Sequence, residues 1–248
     1  MISLCITTKD RYNDFLSEYI PKYLENPYIQ EIIISDENGN DFNKIKEQIP
    51  CNSRLQLYKN EVILGPFLNK LQVLKKANNE WIALIDSDNF ANIDYFEVAI
   101  DYIKRQSPNQ FSILLPSFAK PNFDYRKFED NIITKDNIRH VENIDKSLFN
   151  TLINTGNYVI NKNLIDLIDI SKENEDLISS SHACDVKYFN TLVLEQFPSF
   201  QLHVIKDLHY SHMVHNNSIY LQTSMNMKYR NTINVINSRF DTFIDSLH

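Results

Sequence analysis

WIALIDSDN, residues 81–89, is the stretch on which the reading of the fold turns. Five apolar residues make a run of strand length, and the acidic Asp86-Ser87-Asp88 cuts it off. A short apolar run bounded by turn residues reads as a buried strand, so the run delivers both carboxylates to that strand's carboxyl end. Hard divalent cations take oxygen ligands of this kind, and two close carboxylates left unpaired repel each other. Metal binding is therefore one reading of the pair. The other is a solvated turn in which Asp88 or Asn89 caps the helix that follows.

Upstream, apolar runs alternate with helical patterns. ISLCIT (2–7), EIIIS (31–35) and RLQLYK (54–59) read as strands, and FLSEYIPKYL, FNKIKEQI and GPFLNKLQVLKKANN read as helices between them. This alternation predicts an α/β fold with parallel strands and crossover helices. In such sheets ligands sit at the carboxyl ends of strands. Three polar strand ends then become candidates for a site: TTKDR (7–11), SDEN (35–38) and DSDN (86–89).

Downstream the pattern is less regular. Residues 92–105 read as a helix and FSILLPSF (111–118) as a strand, while 119–147 read as a charged surface excursion. Residues 155–168 read as a strand running into a helix, 171–185 as polar chain, and 186–197 as a helix. HVIKDLHYSHMVH (203–215) reads as a strand carrying His203, His209, His212 and His215, and 219–247 as a long amphipathic helix. That helix has too little basic character for membrane-surface binding; packing on its own domain is the expectation, and docking on a second copy the alternative. With no repeat or linker, the chain reads as one domain: a ligand-binding half (1–100), a second half (101–218) and the final helix (219–248).

Composition removes several functions. Of 248 residues only Gly39, Gly65 and Gly156 are glycine, against roughly seventeen at average usage. The glycine-rich dinucleotide and P-loop motifs are impossible here, as is the G-x-S-x-G nucleophile elbow. A net charge of −7 argues against nucleic acid as a partner, because a basic face supplies most of that affinity. Cys5, Cys51 and Cys184 are odd in number and far apart, so no zinc knuckle or redox pair is available. Free thiols point to a reducing compartment. The N-terminal apolar run is too short for a signal peptide, and nowhere do about 18 apolar residues run together as a membrane span requires. The expectation is a cytoplasmic protein.

The order TTKDR, SDEN, G-x-x-x-N-K, WIALIDSDN resembles the nucleotide-sugar-binding half of glycosyltransferases with the GT-A fold. It is most similar to the large inverting family, family 2-like, that commonly opens P-T-Y-N-R. The likeness covers about residues 1–100 well and the rest loosely. It implies a Rossmann-like, mostly parallel sheet, a nucleoside-diphosphate sugar donor (UDP-linked by preference), a hydroxyl acceptor such as a glycan, and Mn²⁺ or Mg²⁺. It implies that Thr7 and Thr8 line the nucleoside pocket, Arg11 and Lys70 lie near the diphosphate, and Asp36 meets the nucleobase edge. Within Asp86-Ser87-Asp88, Asp86 would face the ribose or metal and Asp88 would ligate the metal. Thr7 and Lys9 depart from the usual Pro and Tyr.

An inverting transferase needs a carboxylate to deprotonate the acceptor hydroxyl. The family supplies it as the Asp of an E-D pair opening a helix, and the matching stretch HACDVKYFN offers Asp185, with Cys184 in place of the Glu. The literal pair Glu175-Asp176 is the alternative. Gly156 and Asn157 resemble the acceptor-side turn before that helix. A late histidine often completes the metal site, and either His212 or His215 fits; a zinc site from three histidines lacks supporting spacing. Three rivals stand beside this reading. A phosphohydrolase of the haloacid dehalogenase type also uses D-x-D, but on its first strand and with a later G-D pair that is missing here. A sugar nucleotidyltransferase needs a glycine-rich opening loop. A GT-A domain that binds without turnover is the non-enzymatic rival.

Overall fold

The apolar runs become one mixed sheet in a computed structural model that describes residues 1–215 and 227–247. Its strands are β1 Ile2–Thr8, β2 Ile29–Asp36, β3 Leu55–Lys59, β4 Trp81–Asp86, β5 Ser112–Lys120, β6 Phe123–Asp124, β7 Ile132–Ile133, β8 Tyr158–Asn161 and β9 Gln201–Ser211. They lie in the order β3-β2-β1-β4-β8-β5-β9-β7, with β6 paired to β5. Around them, among the described residues, run α1 Ser17–Glu25, α2 Asn40–Gln48, α3 Gly65–Lys75, α4 Ile93–Gln106, α5 Ile138–Ile144, α6 Lys146–Ile153, α7 Lys162–Leu167, α8 Glu175–Ser180, α9 Asp185–Gln196 and α10 Met227–Ser246.

The first four strands are all parallel, as the alternation predicts. Helices cover both faces of such a sheet, so its strands are apolar on both sides: Ile2, Leu4, Cys5 and Ile6 of β1 are all at most 1% exposed. The register sets Thr7 beside Asp86 and Thr8 beside Asp36. The three polar strand ends therefore share one edge.

The second half departs from a purely parallel sheet. β8 runs antiparallel to both β4 and β5, whereas β9 runs parallel to β5. Two reversals cancel, so β5 and β9 point the same way as β4. The consequence is positional: the turn entering β8 (Gly156-Asn157) and the chain leaving β9 both emerge at the edge where β4 ends.

Residues 119–147 are more than a surface excursion. They hold β6, β7 and α5, and Phe128, Ile133, Ile138 and Val141 are buried. The strand read through 215 ends at Ser211, so His203 and His209 lie on β9 while His212 and His215 lie beyond it. Of the long final helix, 219–226 lies outside the described residues; α10 packs on the same molecule through buried Ile236, Phe240 and Ile244. No helix among the described residues is long and apolar enough to cross a membrane.

Candidate active site

Local sequence chemistry fixes each strand-end loop. After β2, Gly39 adopts φ 83° just before α2, a left-handed conformation that glycine takes without a Cβ penalty. Asp36 is buried, and its carboxylate accepts from the backbone N–H of Asn38 (3.2 Å) and Phe42 (2.8 Å). Burial raises its pKa against these hydrogen bonds. Asp41, which sequence reading missed, is fully buried in the first turn of α2. It accepts from Thr8 Oγ1 at 2.5 Å and from the N–H groups of Arg11 and Tyr12 at 2.9 Å each. The TTKDR loop is thus held by the first turn of α2. The only sequence signal for Asp41 was an acid placed where a helix N-terminus favours one.

The centre of the site is Lys70. It projects from α3, whose first residue Gly65 (φ 78°) donates its N–H to Glu37 Oε1 at 2.6 Å. Lys70 Nζ lies 3.1 Å from Asp86 Oδ1 and 3.0 Å from Asp185 Oδ2. Burial works against its ammonium, but Asp185 and then Asp86 outweigh that and hold its pKa well above the ordinary lysine value. Burial pushes the Asp185 carboxyl upward; Lys70 opposes the shift and Asp86 adds to it.

Asp86 is anchored a second time, from the turn entering β8. Asn157 Oδ1 accepts from Asp86 N–H at 2.8 Å, and Asn157 Nδ2 donates to Asp86 Oδ2 at 3.3 Å. Gly156 stands over the same cluster. A Cβ there would meet Val186 Cγ2 at 3.0 Å, with Asp86 Oδ2 and Lys70 Nζ each at 3.4 Å. Close approach, rather than an unusual dihedral, is what this glycine permits.

Asp88 faces a different partner. His215 Nε2 donates to Asp88 Oδ2 at 2.9 Å, and the imidazole packs on Phe15 with ring centroids 5.3 Å apart. His212 turns instead toward Asn122 (2.8 Å) and the ring of Phe123 (5.1 Å). Burial lowers its pKa, with Asp88 and Asp86 opposing. The structure therefore brings His215, not His212, to Asp88. Ser87 is buried in the turn between the two aspartates. Arg11 is half-buried, and its Nη1 donates to the carbonyl of Asp10 at 3.3 Å. Glu175 and Asp176 sit exposed in the first turn of α8, capped by Asn174. Asp185 opens α9 beside Lys70, and Cys184 before it is buried.

The donor set suits a divalent ion. Asp88 Oδ2 and His215 Nε2, 2.9 Å apart on side chains 22% and 21% exposed, would hold a divalent ion in exchange for the hydrogen bond between them, and Mn²⁺ accepts both donor types. Among the described residues no three His, Cys, Asp or Glu side chains gather into a metal cluster.

A parallel donor half, a reversed strand feeding the site and an acidic turn at the end of β4 together define the GT-A class of fold. A family model of glycosyl transferase family 2 matches residues 3–165, so the chain belongs to that family. No curated protein sequence matches the chain. Among solved structures it is similar to S. aureus TarS 1-349 in complex with UDP-GlcNAc, with a TM-score of 0.67, 14% identity, and 96% of this chain and 66% of that one covered. It is also similar to glucosyl-3-phosphoglycerate synthase from Mycobacterium tuberculosis in complex with Mn²⁺, UDP and phosphoglyceric acid. There the TM-score is 0.58 and identity 12%, with 97% of this chain and 78% of that one covered. The chain spans 64% of another structure of TarS 1-349 and 39% of a TarS structure not limited to those residues.

Proposed function

We propose that the chain transfers a sugar from a UDP-sugar to an acceptor hydroxyl, on a glycan or glycoconjugate, with inversion at the anomeric carbon. The observation that carries this reading is the single ammonium of Lys70 in contact with both Asp86 and Asp185. It joins the donor-side carboxylate of Asp86 to the buried carboxylate of Asp185 on the acceptor side. Asp185 takes the proton of the acceptor hydroxyl as that oxygen bonds to the anomeric carbon. The bond from that carbon to the diphosphate oxygen breaks, and its electron pair leaves with the diphosphate. Lys70 offsets the charge that develops there, with Arg11 on the loop after β1 as a second cation. Asp88 and His215 would hold Mn²⁺ or Mg²⁺, which when bound supplies further neutralisation of the leaving group.

The preference for UDP rests on the UDP and UDP-GlcNAc complexes of the structural relatives, since Asp36 is committed to its own turn. Thr7, half-buried beside Asp86, is the better placed of the two threonines to meet the nucleoside; Thr8 is spent on Asp41. Gly156 and Asn157 border the acceptor side. The two halves and the final helix work as one domain. A cytoplasmic site of action belongs to the same proposal, supported by the three free cysteines. Calorimetry with UDP, GDP and dTDP, with and without Mn²⁺, tests the reading. UDP should bind with Mn²⁺ present, and Asp88→Ala should lose that binding. Equal binding by Asp88→Ala refutes the metal assignment, and NMR of the product anomer decides the stereochemistry.

A further inference from the structure

His215 reaches Asp88 from a segment with no secondary structure of its own. β9 ends at Ser211, and the chain to His215 must be held by individual contacts. Ser211 exchanges backbone hydrogen bonds with Phe90, N–H to O at 2.8 and 3.0 Å, and His212 N–H donates to the carbonyl of Lys120 at 2.7 Å. The next residue is tied by a side chain: Met213 N–H donates to Asn89 Oδ1 at 3.0 Å. Asn89 is 4% exposed. Its own N–H donates to the carbonyl of Asp86 at 2.9 Å and closes the Asp86-Ser87-Asp88-Asn89 turn.

We propose that Asn89 is a positioning residue that builds the cation site, by locking the carboxylate turn after β4 to the histidine segment after β9. The backbone of Asn89 sets the turn that presents Asp88. Its side-chain oxygen fixes the chain two residues before His215. Neither donor atom is Asn89's own, yet both reach the site through it. Outer groups that orient ligands commonly change metal affinity by about 10–100-fold. The inference rests on the metal reading above.

The test measures Mn²⁺ affinity in the presence of UDP, by calorimetry and by the paramagnetic resonance of free Mn²⁺, with no acceptor and no turnover. Asn89→Ala should weaken Mn²⁺ by about tenfold or more. Asn89→Asp, which keeps an acceptor oxygen at the same reach, should hold affinity within about threefold of the parent, on the low side of that range. In a His215→Ala background, Asn89→Ala should have no added effect on Mn²⁺, since the segment it holds no longer carries a ligand. Asn89→Ser keeps a small polar side chain in the buried turn and serves as the second truncation if the alanine variant does not fold. If the parent protein binds Mn²⁺ and both truncations bind it equally well, the positioning role is overturned while the metal reading stands. Equal losses in Asn89→Asp and Asn89→Ala, or additive losses with His215→Ala, also overturn it. Failure of the parent itself to bind Mn²⁺ overturns the metal reading, and this inference with it.

Discussion

Lys70 holds two carboxylates that come from opposite halves of the chain, and its loss should be felt twice. With Lys70→Met, Asp185 (side chain 9% exposed) and Asp86 (30%) face each other without a cation. Removing one partner of a buried pair costs about 3–5 kcal/mol; with Asp86 partly solvated, the low end applies. A loss of about 3 kcal/mol should lower Tm by roughly 6–12 °C, measurable by calorimetry, and adding Asp185→Asn should restore part of it. Asp185→Asn alone should cut transfer by about 10²–10⁴-fold while UDP binding persists. Because burial raises the Asp185 pKa, the base is lost at a higher pH than an ordinary aspartate would be. Activity should fall as pH drops through that raised value, placing the acid limb of the rate profile above the usual carboxylate range. At this scale the sequence exposed the residue types but not their partners. Asp185 emerged only through resemblance to a helix-opening motif. His212 and His215 look equivalent in sequence until their partners, Asn122 for one and Asp88 for the other, separate them. Asp41 carries no signal of its contacts, because Thr8 and Arg11 are distant in the chain.

Elements were legible where they were long. The first four strands and their helices follow from apolar runs and turn residues, because β1, β2 and β4 are buried on both faces while β3 at the sheet edge is only half-buried. The direction of β8 could not be read, since four apolar and polar residues (YVIN) look the same whichever way the strand runs. β6 and β7 have two residues each, too few to show any period. The docking of α10 was expected, but its lock was not: Arg239 pairs with Glu173 and Glu195 at 2.6 Å each, and Tyr188 lies 5.8 Å beneath the guanidinium. Arg239→Ala should lower Tm by several degrees, and Arg239→Lys should fail to restore it. An ammonium cannot reproduce a fork that serves two carboxylates at once. Differential scanning fluorimetry of the two variants distinguishes fork geometry from charge alone.

Across the whole molecule, buried His203 couples folding to pH. Its Nδ1 meets Tyr102 Oη at 2.9 Å, its Nε2 meets Gln201 Oε1 at 3.2 Å, and burial pushes its pKa down to about 4. The unfolded chain binds a proton near pH 6.5, before the folded one does. Stability is therefore full above pH 6.5 and falls as pH drops toward 4, by about 3 kcal/mol if this group acts alone. Denaturant unfolding at pH 7 and pH 5 should show the loss, and His203→Gln should flatten it.

The parallel pairing of β9 with β5 has one more consequence, for the order in which a new chain acquires its parts. Thr8, Lys70 and Asp86 are made early, Asn157 and Asp185 later, and His215 only after β9 has been synthesised and seated. A chain stopped before β9 has an acidic turn but no histidine to share its cation. On the proposed reading it would meet the donor without a complete cation site. If Asp88 and His215 hold the cation as proposed, tight donor binding is reserved for chains whose central sheet is finished, and donor at saturating concentration should stabilise only that finished state.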